Sequence, residues 1–280
     1  MPSDLDAPRT ETRTIDIDGQ RVAFEVDPGR PDEPAYFVLG VRKSGSTLLG
    51  RTMNFLTRRT GRTMIDWPGF FFRNGYTTKD WIDRDLGGLL APGNVYGGFR
   101  SAPTNVFDAP LFRSGRKVLL VRDPRDALVS QYFSDAYSHG LPKADGLNAA
   151  GRDAFLAKRE AVRATDIDTY VIERSKGIDR TMMGYAPLLD DPNLLLLKYE
   201  HVVFQKKWMI AKIQRHFGWD VHAGQVENLL GQIDRVPERE DKTQFVRKAI
   251  PGDHRAKLDP GTIRRLDNRL ADCLRTFDYV

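Results

Sequence analysis

Lys43, Gly45, Ser46 and Thr47 are crowded into the run Arg42-Lys43-Ser44-Gly45-Ser46-Thr47. Ahead of it stands the apolar stretch Tyr36-Phe37-Val38-Leu39-Gly40-Val41, and after it apolar residues return at positions 48, 49, 53 and 56. These residue types suit a phosphate. Gly45 lets an anion approach the backbone, Ser46 and Thr47 offer hydroxyl donors, and Lys43 brings a full charge. The flanks read as strand, tight loop and helix, and a helix start adds unpaired N–H groups with a partial positive charge. The same residues could equally make a small-residue turn. Gly40 to Gly45 matches the frame of a Walker A loop, but Ser46 holds the place where such a loop needs lysine, which disfavours nucleotide hydrolases and kinases.

A second stretch is Lys117-Val118-Leu119-Leu120-Val121-Arg122-Asp123-Pro124-Arg125-Asp126, with Ser130 eight positions after Arg122. A continuous apolar run predicts a buried parallel strand that delivers Arg122 to its carboxyl end. Asp123 is a fit N-cap and Pro124 a fit first helical residue, so a helix should start at once. An arginine fork and a serine hydroxyl so placed can clamp one dianionic phosphate; the alternative is a structural ion pair. A third stretch, Arg247-Lys248-Ala249-Ile250-Pro251-Gly252-Asp253-His254, sets two cations before a Pro-Gly turn. That is either a flap closing over a phosphate or a solvated surface pair.

In order and spacing, the three stretches resemble sulfotransferases that use 3′-phosphoadenosine 5′-phosphosulfate (PAPS). In that family a Lys-Ser-Gly-Thr/Ser-Thr run cradles the 5′-phosphosulfate. A strand followed by Arg-Asx-Pro-x-Asp, with a serine eight residues after the arginine, binds the 3′-phosphate, and Arg-Lys-Gly-x-x-Gly-Asp-Trp reaches the same group. The resemblance covers residues 36–280. It implies contacts to PAPS, or to the product adenosine 3′,5′-bisphosphate (PAP), from Arg42, Lys43, Ser44, Gly45, Ser46, Thr47, Arg122, Ser130, Arg247 and Lys248, with no metal. Tyr199, in Tyr199-Glu200-His201, resembles the family's Tyr-Glu-Asp strand end and is either plain core or a neighbour of the nucleotide. Departures are Ala249 for glycine, His254 for tryptophan, and Leu48 where many members stack a tryptophan on adenine.

The chemistry so implied is transfer of a sulfuryl group to an acceptor hydroxyl, less readily an amine, with Lys43 stabilising the leaving phosphate oxygen. A glycan, a lipid or glycolipid, or a small metabolite could carry that hydroxyl. The histidine that many members use as base is absent, since Arg100-Ser101-Ala102-Pro103 stands in its place. Asp66, ahead of Phe70-Phe71, resembles the context of a glutamate in glycan-modifying relatives; there an apolar wall would raise its pKa. His139, in a Ser-His-Gly turn, is the alternative base. A P-loop-like nucleotide or metabolite kinase is the rival reading.

Positioning these residues calls for an α/β fold, with a mainly parallel central sheet flanked by helices as in P-loop kinases, and an N-terminal β-hairpin. Residues 1–34 read as a tail and that hairpin, turned at Asp18-Gly19 and added at a sheet edge, and residues 35–280 as the sulfotransferase-like domain. Helices are expected over 79–90, over 148–176, after the strand 194–200 through Phe217, and after Asp259-Pro260. The 43 basic and 38 acidic residues are interspersed, giving a net charge of +5 without the basic clusters of a nucleic-acid binder. A single cysteine, Cys273, excludes an intrachain disulfide and reads as a core residue. With neither an apolar leader nor a run near the roughly 20 residues of a membrane span, the expected location is the cytoplasm. Oligomeric state is not legible.

Overall fold

The computed structural model describes residues 10–138, 149–234, 237, 239–244 and 247–280. Strands β1 (Glu11–Ile17) and β2 (Gln20–Val26) pair antiparallel. Asp18 and Gly19 turn between them at φ 53° and 77°, the doubly positive pattern of a tight hairpin turn. The hairpin is its own two-stranded sheet and does not extend the central one as expected. Its alternation buries Ile15, Ile17, Phe24 and Val26 in the main core, where Phe24 meets Phe70 and Phe71 at 5.5 and 5.6 Å between ring centroids. It is a cover over the aromatic cluster.

The central sheet comprises β3 (Tyr36–Gly40), β4 (Met64–Asp66), β5 (Val95–Gly97), β6 (Arg116–Val121) and β7 (Leu194–Lys198). They lie in the order β4-β5-β3-β6-β7, all parallel. Alternate residues of β3 and β6 face opposite cores: Phe37, Leu39, Leu119 and Val121 in one, Tyr36, Val38, Val118 and Leu120 in the other. The chain leaves β3 for β4 and β5 on one side, then returns to β6 and β7 on the other. The reversal parts the β3 and β6 connections and opens a crevice at their carboxyl ends, the general location of ligands in such sheets. The expected α/β architecture is therefore present.

Several local expectations change. The α-helix Thr78–Trp81 covers only the first three residues of the 79–90 stretch, and further on the Asp85 carboxylate accepts from Gly87 N and turns the chain into a short 3₁₀ segment, Gly87–Leu89. The 148–176 segment is two helices, Ala149–Ala164 and Ile167–Met183, parted where Asp166 caps the second by accepting from Thr169 N. Leu156 is exposed. β7 is an edge strand with Leu196 exposed, and the helix after it breaks into Tyr199–Val202 and Lys206–Phe217. After Asp259 the chain forms Pro260–Arg269 and then Ala271–Thr276. Cys273 is fully buried, and burial pushes its thiol up to about 12, in keeping with a core role.

Candidate active site

β3 ends at Gly40, and the helix Ser46–Arg59 starts six residues later with Gly45 as its N-cap at φ 91°. No side chain caps this helix, so its first-turn N–H groups face the loop. Two constraints require glycine at 45: the left-handed backbone, and Tyr199, whose ring carbon would lie 2.8 Å from an added Cβ. The Ser44 hydroxyl donates to Val41 O at 2.7 Å within the loop, so it braces the cradle from inside. Ser46 and Thr47 stay half-exposed at the helix start. Lys43 has a positive φ of 68°, which turns a lysine backbone through a conformation that side chains disfavour. Burial, and then the charge of Arg42, lower its pKa to about 8; Asp135 opposes the shift, and Arg122 and Arg247 add to it. Arg42 itself pairs with Asp135 at 3.2 Å, and Asp135 also accepts from Tyr170 OH at 2.7 Å.

On the neighbouring strand end, Arg122 is buried, with its guanidinium 4.4 Å over the Tyr199 ring and Nη1 donating to Lys43 O at 3.4 Å. Its Nε is buried and has no acceptor among the described residues. Asp123 caps the helix Pro124–Phe133 through Arg125 N, as expected. Asp126, Ser130 and Phe133 recur on one face of that helix. The Arg247–His254 loop grips this face at both ends. At one end Asp126 accepts from Gly252 N at 2.6 Å, from His254 N at 2.9 Å and from His254 Nδ1 at 2.6 Å. At the other the Arg247 guanidinium lies 4.2 Å over Phe133. Ser130 sits between the two grips. Burial alone would raise the Asp126 carboxyl, but the His254 hydrogen bond and the Arg122 charge hold it at about 2.

Arg247 pairs with Glu240 and Asp253, and Lys248 Nζ reaches Asp253 Oδ1 at 2.8 Å. Asp253 therefore holds both cations of the loop in place. Asp126, Asp253 and Phe133 were not singled out by sequence reasoning, although Asp126 and Asp253 lie inside the second and third stretches.

A cavity of about 350 Å³ lies beside the cradle, lined by Thr47, Gly50, Arg51 and Asn54 of the helix, Asp66 at the end of β4, and Gly98, Phe99 and Arg100 after β5. The two glycines after Tyr96 allow close approach: added Cβ atoms would lie 2.5 Å from Met64 Cε at Gly97 and 1.9 Å from Asp66 Oδ1 at Gly98. Asp66 is exposed, not enclosed by an apolar wall, because Trp67 and Phe71 turn into the core and Phe72 into solvent. His139 lies outside the described residues.

A family model described as a sulfotransferase domain matches residues 33–277. The chain belongs to the PAPS-dependent sulfotransferase family. No curated protein sequence matches it. Among solved structures it is similar to mouse sulfotransferase SULT7A1 complexed with PAP, at 16% identity and TM-score 0.59, covering 90% of this chain and 87% of that one. It is also similar, more loosely, to retinol dehydratase in complex with androsterone and PAP, at 16% identity and TM-score 0.49, covering 86% and 80%. At such identity the first likeness speaks for the sulfotransferase fold. No helix among the described residues is long and apolar enough to cross a membrane, and no group of three or more His, Cys, Asp or Glu side chains among them could hold a metal.

One departure of this sulfotransferase from its family pattern has a measurable consequence. Ala249, standing where the family carries glycine, keeps the glycine-type backbone at φ 54°. That conformation costs an L-residue about 1–2 kcal/mol. Ala249→Gly is expected to stabilise the protein by about 1 kcal/mol, read as a higher urea midpoint at unchanged slope. A lower midpoint would mean that the methyl's packing outweighs the strain.

Proposed function

We propose that Lys43, the cradle N–H groups, Thr47, Arg122, Ser130, Arg247 and Lys248 hold PAPS, and that Asp66 serves as base toward an acceptor hydroxyl of a glycan, lipid or small metabolite. The observation that carries this is the buried, acceptor-less Nε of Arg122 at the end of β6, one strand from the cradle and under the Arg247 loop. A buried guanidinium nitrogen left unpaired is costly, and a phosphate oxygen is the acceptor that suits its fork. The uncapped first-turn N–H groups of the helix Ser46–Arg59 offer a place for a second phosphate. The residues present thus fit a nucleotide with phosphates at two separate places.

PAPS supplies an activated sulfuryl group on its 5′-phosphate. In the transfer Asp66 takes the acceptor proton as the acceptor oxygen bonds to sulfur, and the electron pair of the broken S–O bond stays on the 5′-phosphate oxygen. Lys43 stabilises the charge that grows there. Arg42 and Ser44 act at one remove: Ser44 braces the loop, and the ion pair of Arg42 with Asp135 ties the loop to the helix beside it. Tyr199 packs against both Gly45 and Arg122, and so sets the distance between the two phosphate places.

At about 100 times its dissociation constant, PAP should add about 2.7 kcal/mol of stability, and Mg-ATP much less, because ATP lacks the 3′-phosphate. Equal thermal shifts from the two would favour the kinase reading. Arg122→Gln should weaken PAP by at least about 30-fold, the lower end for losing one member of a buried charge pair, as read by calorimetry. Unchanged affinity would take Arg122 out of the site.

A further inference from the structure

The charged residues lining the 350 Å³ cavity, Arg51, Arg100 and Asp66, are not among those assigned above to PAPS. Arg51 projects from the second turn of the cradle helix and Arg100 from the loop after β5, and both line the cavity as exposed side chains. Neither forms an ion pair among the described residues, whereas Arg122, Arg125 and Arg247 are each paired with carboxylates. The one carboxylate on the lining is Asp66. Arg73 lies nearby but off the lining: a Cβ added at Gly69 would lie 2.3 Å from Asp66 Oδ2 and 3.3 Å from Arg73 Nη1. Positive charge is therefore in excess where the acceptor must sit.

The rest of the lining is apolar or open. Leu49, Met64 and Phe99 offer a surface for a carbon skeleton, and a Cβ at Gly50 would meet nothing within 4 Å. The volume is at the small end for ligand sites, enough for a sugar residue or a compact metabolite. With a neutral acceptor the lining would carry two arginines against the single carboxylate of Asp66. A planar guanidinium is matched by a carboxylate, a sulfate or a phosphate ester.

Resting on the sulfotransferase reading above, we infer that the acceptor is itself an anion: a hydroxyl compound whose acidic group is held by Arg51 and Arg100 while its hydroxyl is presented to Asp66. The negative charge orients the molecule, and Asp66 takes the proton.

Transfer from labelled PAPS to matched pairs that differ only in the acid tests this: glucuronate against glucose, glucose 6-phosphate against glucose, N-acetylglucosamine 6-sulfate against N-acetylglucosamine, and p-hydroxyphenylacetate against its amide. The acid member of at least one pair should show a kcat/KM about 10- to 100-fold higher, the range of one charge-assisted contact. Which pair responds names the acid. Arg51→Gln and Arg100→Gln should erase the preference by raising KM for the acid, with the PAP-induced thermal shift unchanged. Neutral members used equally well, a preference that survives the double variant, or no transfer to any acid while PAP still binds would each overturn the inference. So would an equal loss of kcat for both members in Arg100→Gln, which would place that arginine on the sulfuryl group instead. A wild-type protein without a PAP shift would count against the sulfotransferase reading itself.

Discussion

Asp66→Asn is expected to lower kcat by about 10²-fold or more, the scale of a lost general base, and to leave PAP affinity unchanged. The amide keeps the shape that the site demands, since Asp66 Oδ1 would lie 1.9 Å from a Cβ at Gly98 and its Oδ2 2.3 Å from one at Gly69. Asparagine has the size of aspartate and fits the same place. The carboxylate lies on the cavity that the cradle's Ser46 and Thr47 also line, so a hydroxyl in that cavity is near both Asp66 and the cradle. Single-turnover kinetics with PAPS at saturation separates the chemical step from binding. If Asp66→Asn keeps its activity while a folded His139→Ala loses it, the role of base passes to His139.

Lys43→Met should cost about 10²- to 10³-fold in kcat, the usual loss on removing one preorganised donor to a developing oxyanion, with a much smaller change in PAP affinity. A variant with normal kcat would remove Lys43 from the mechanism. Its titration gives an independent reading. Because burial and the charge of Arg42 lower Lys43 to about 8, the free enzyme loses the protonated form above that pH. kcat/KM should therefore be flat just below about pH 8 and fall about tenfold per unit above it. Bound phosphates favour the ammonium, so the break in kcat should lie at higher pH.

The stability linkage has the opposite sign to that of a lysine which gains a partner. The unfolded chain holds this proton up to its ordinary value of 10.5 and the folded chain only to about 8, so folding releases it between those values and stability rises with pH through that window. Below about 8 the buried charge destabilises the unliganded protein. Lys43→Met should raise the unliganded Tm at pH 7, and a fall would show that the ammonium's local partners outweigh its burial. Activity lost while stability is gained is the expected sign of a residue placed for function.

The parts whose physics is local were legible in the order of residues. A β-forming run, a glycine where the backbone must turn left-handed, and a resumed apolar spacing are enough to write strand, cradle and helix at 36–59; Asp123-Pro124 is enough to start the next helix. Covalent spacing also kept Arg122 and Ser130 on one strand-and-helix unit. The rest is long-range and follows from how the elements pack. Strand order set Arg122 beside Lys43, because β3 and β6 pair although 75 residues lie between their ends at Gly40 and Arg116. The partner of His254 could not be read from its neighbours, since Asp126 is 128 residues away and the pair forms only when the 247–254 loop packs on the helix face. The same holds for Asp66, whose expected apolar wall turned inward to fill the core under the hairpin and left the carboxylate exposed among arginines. Whether an aromatic run lines a site or fills a core depends on which other apolar surfaces compete to bury it, and that competition is settled by the whole fold.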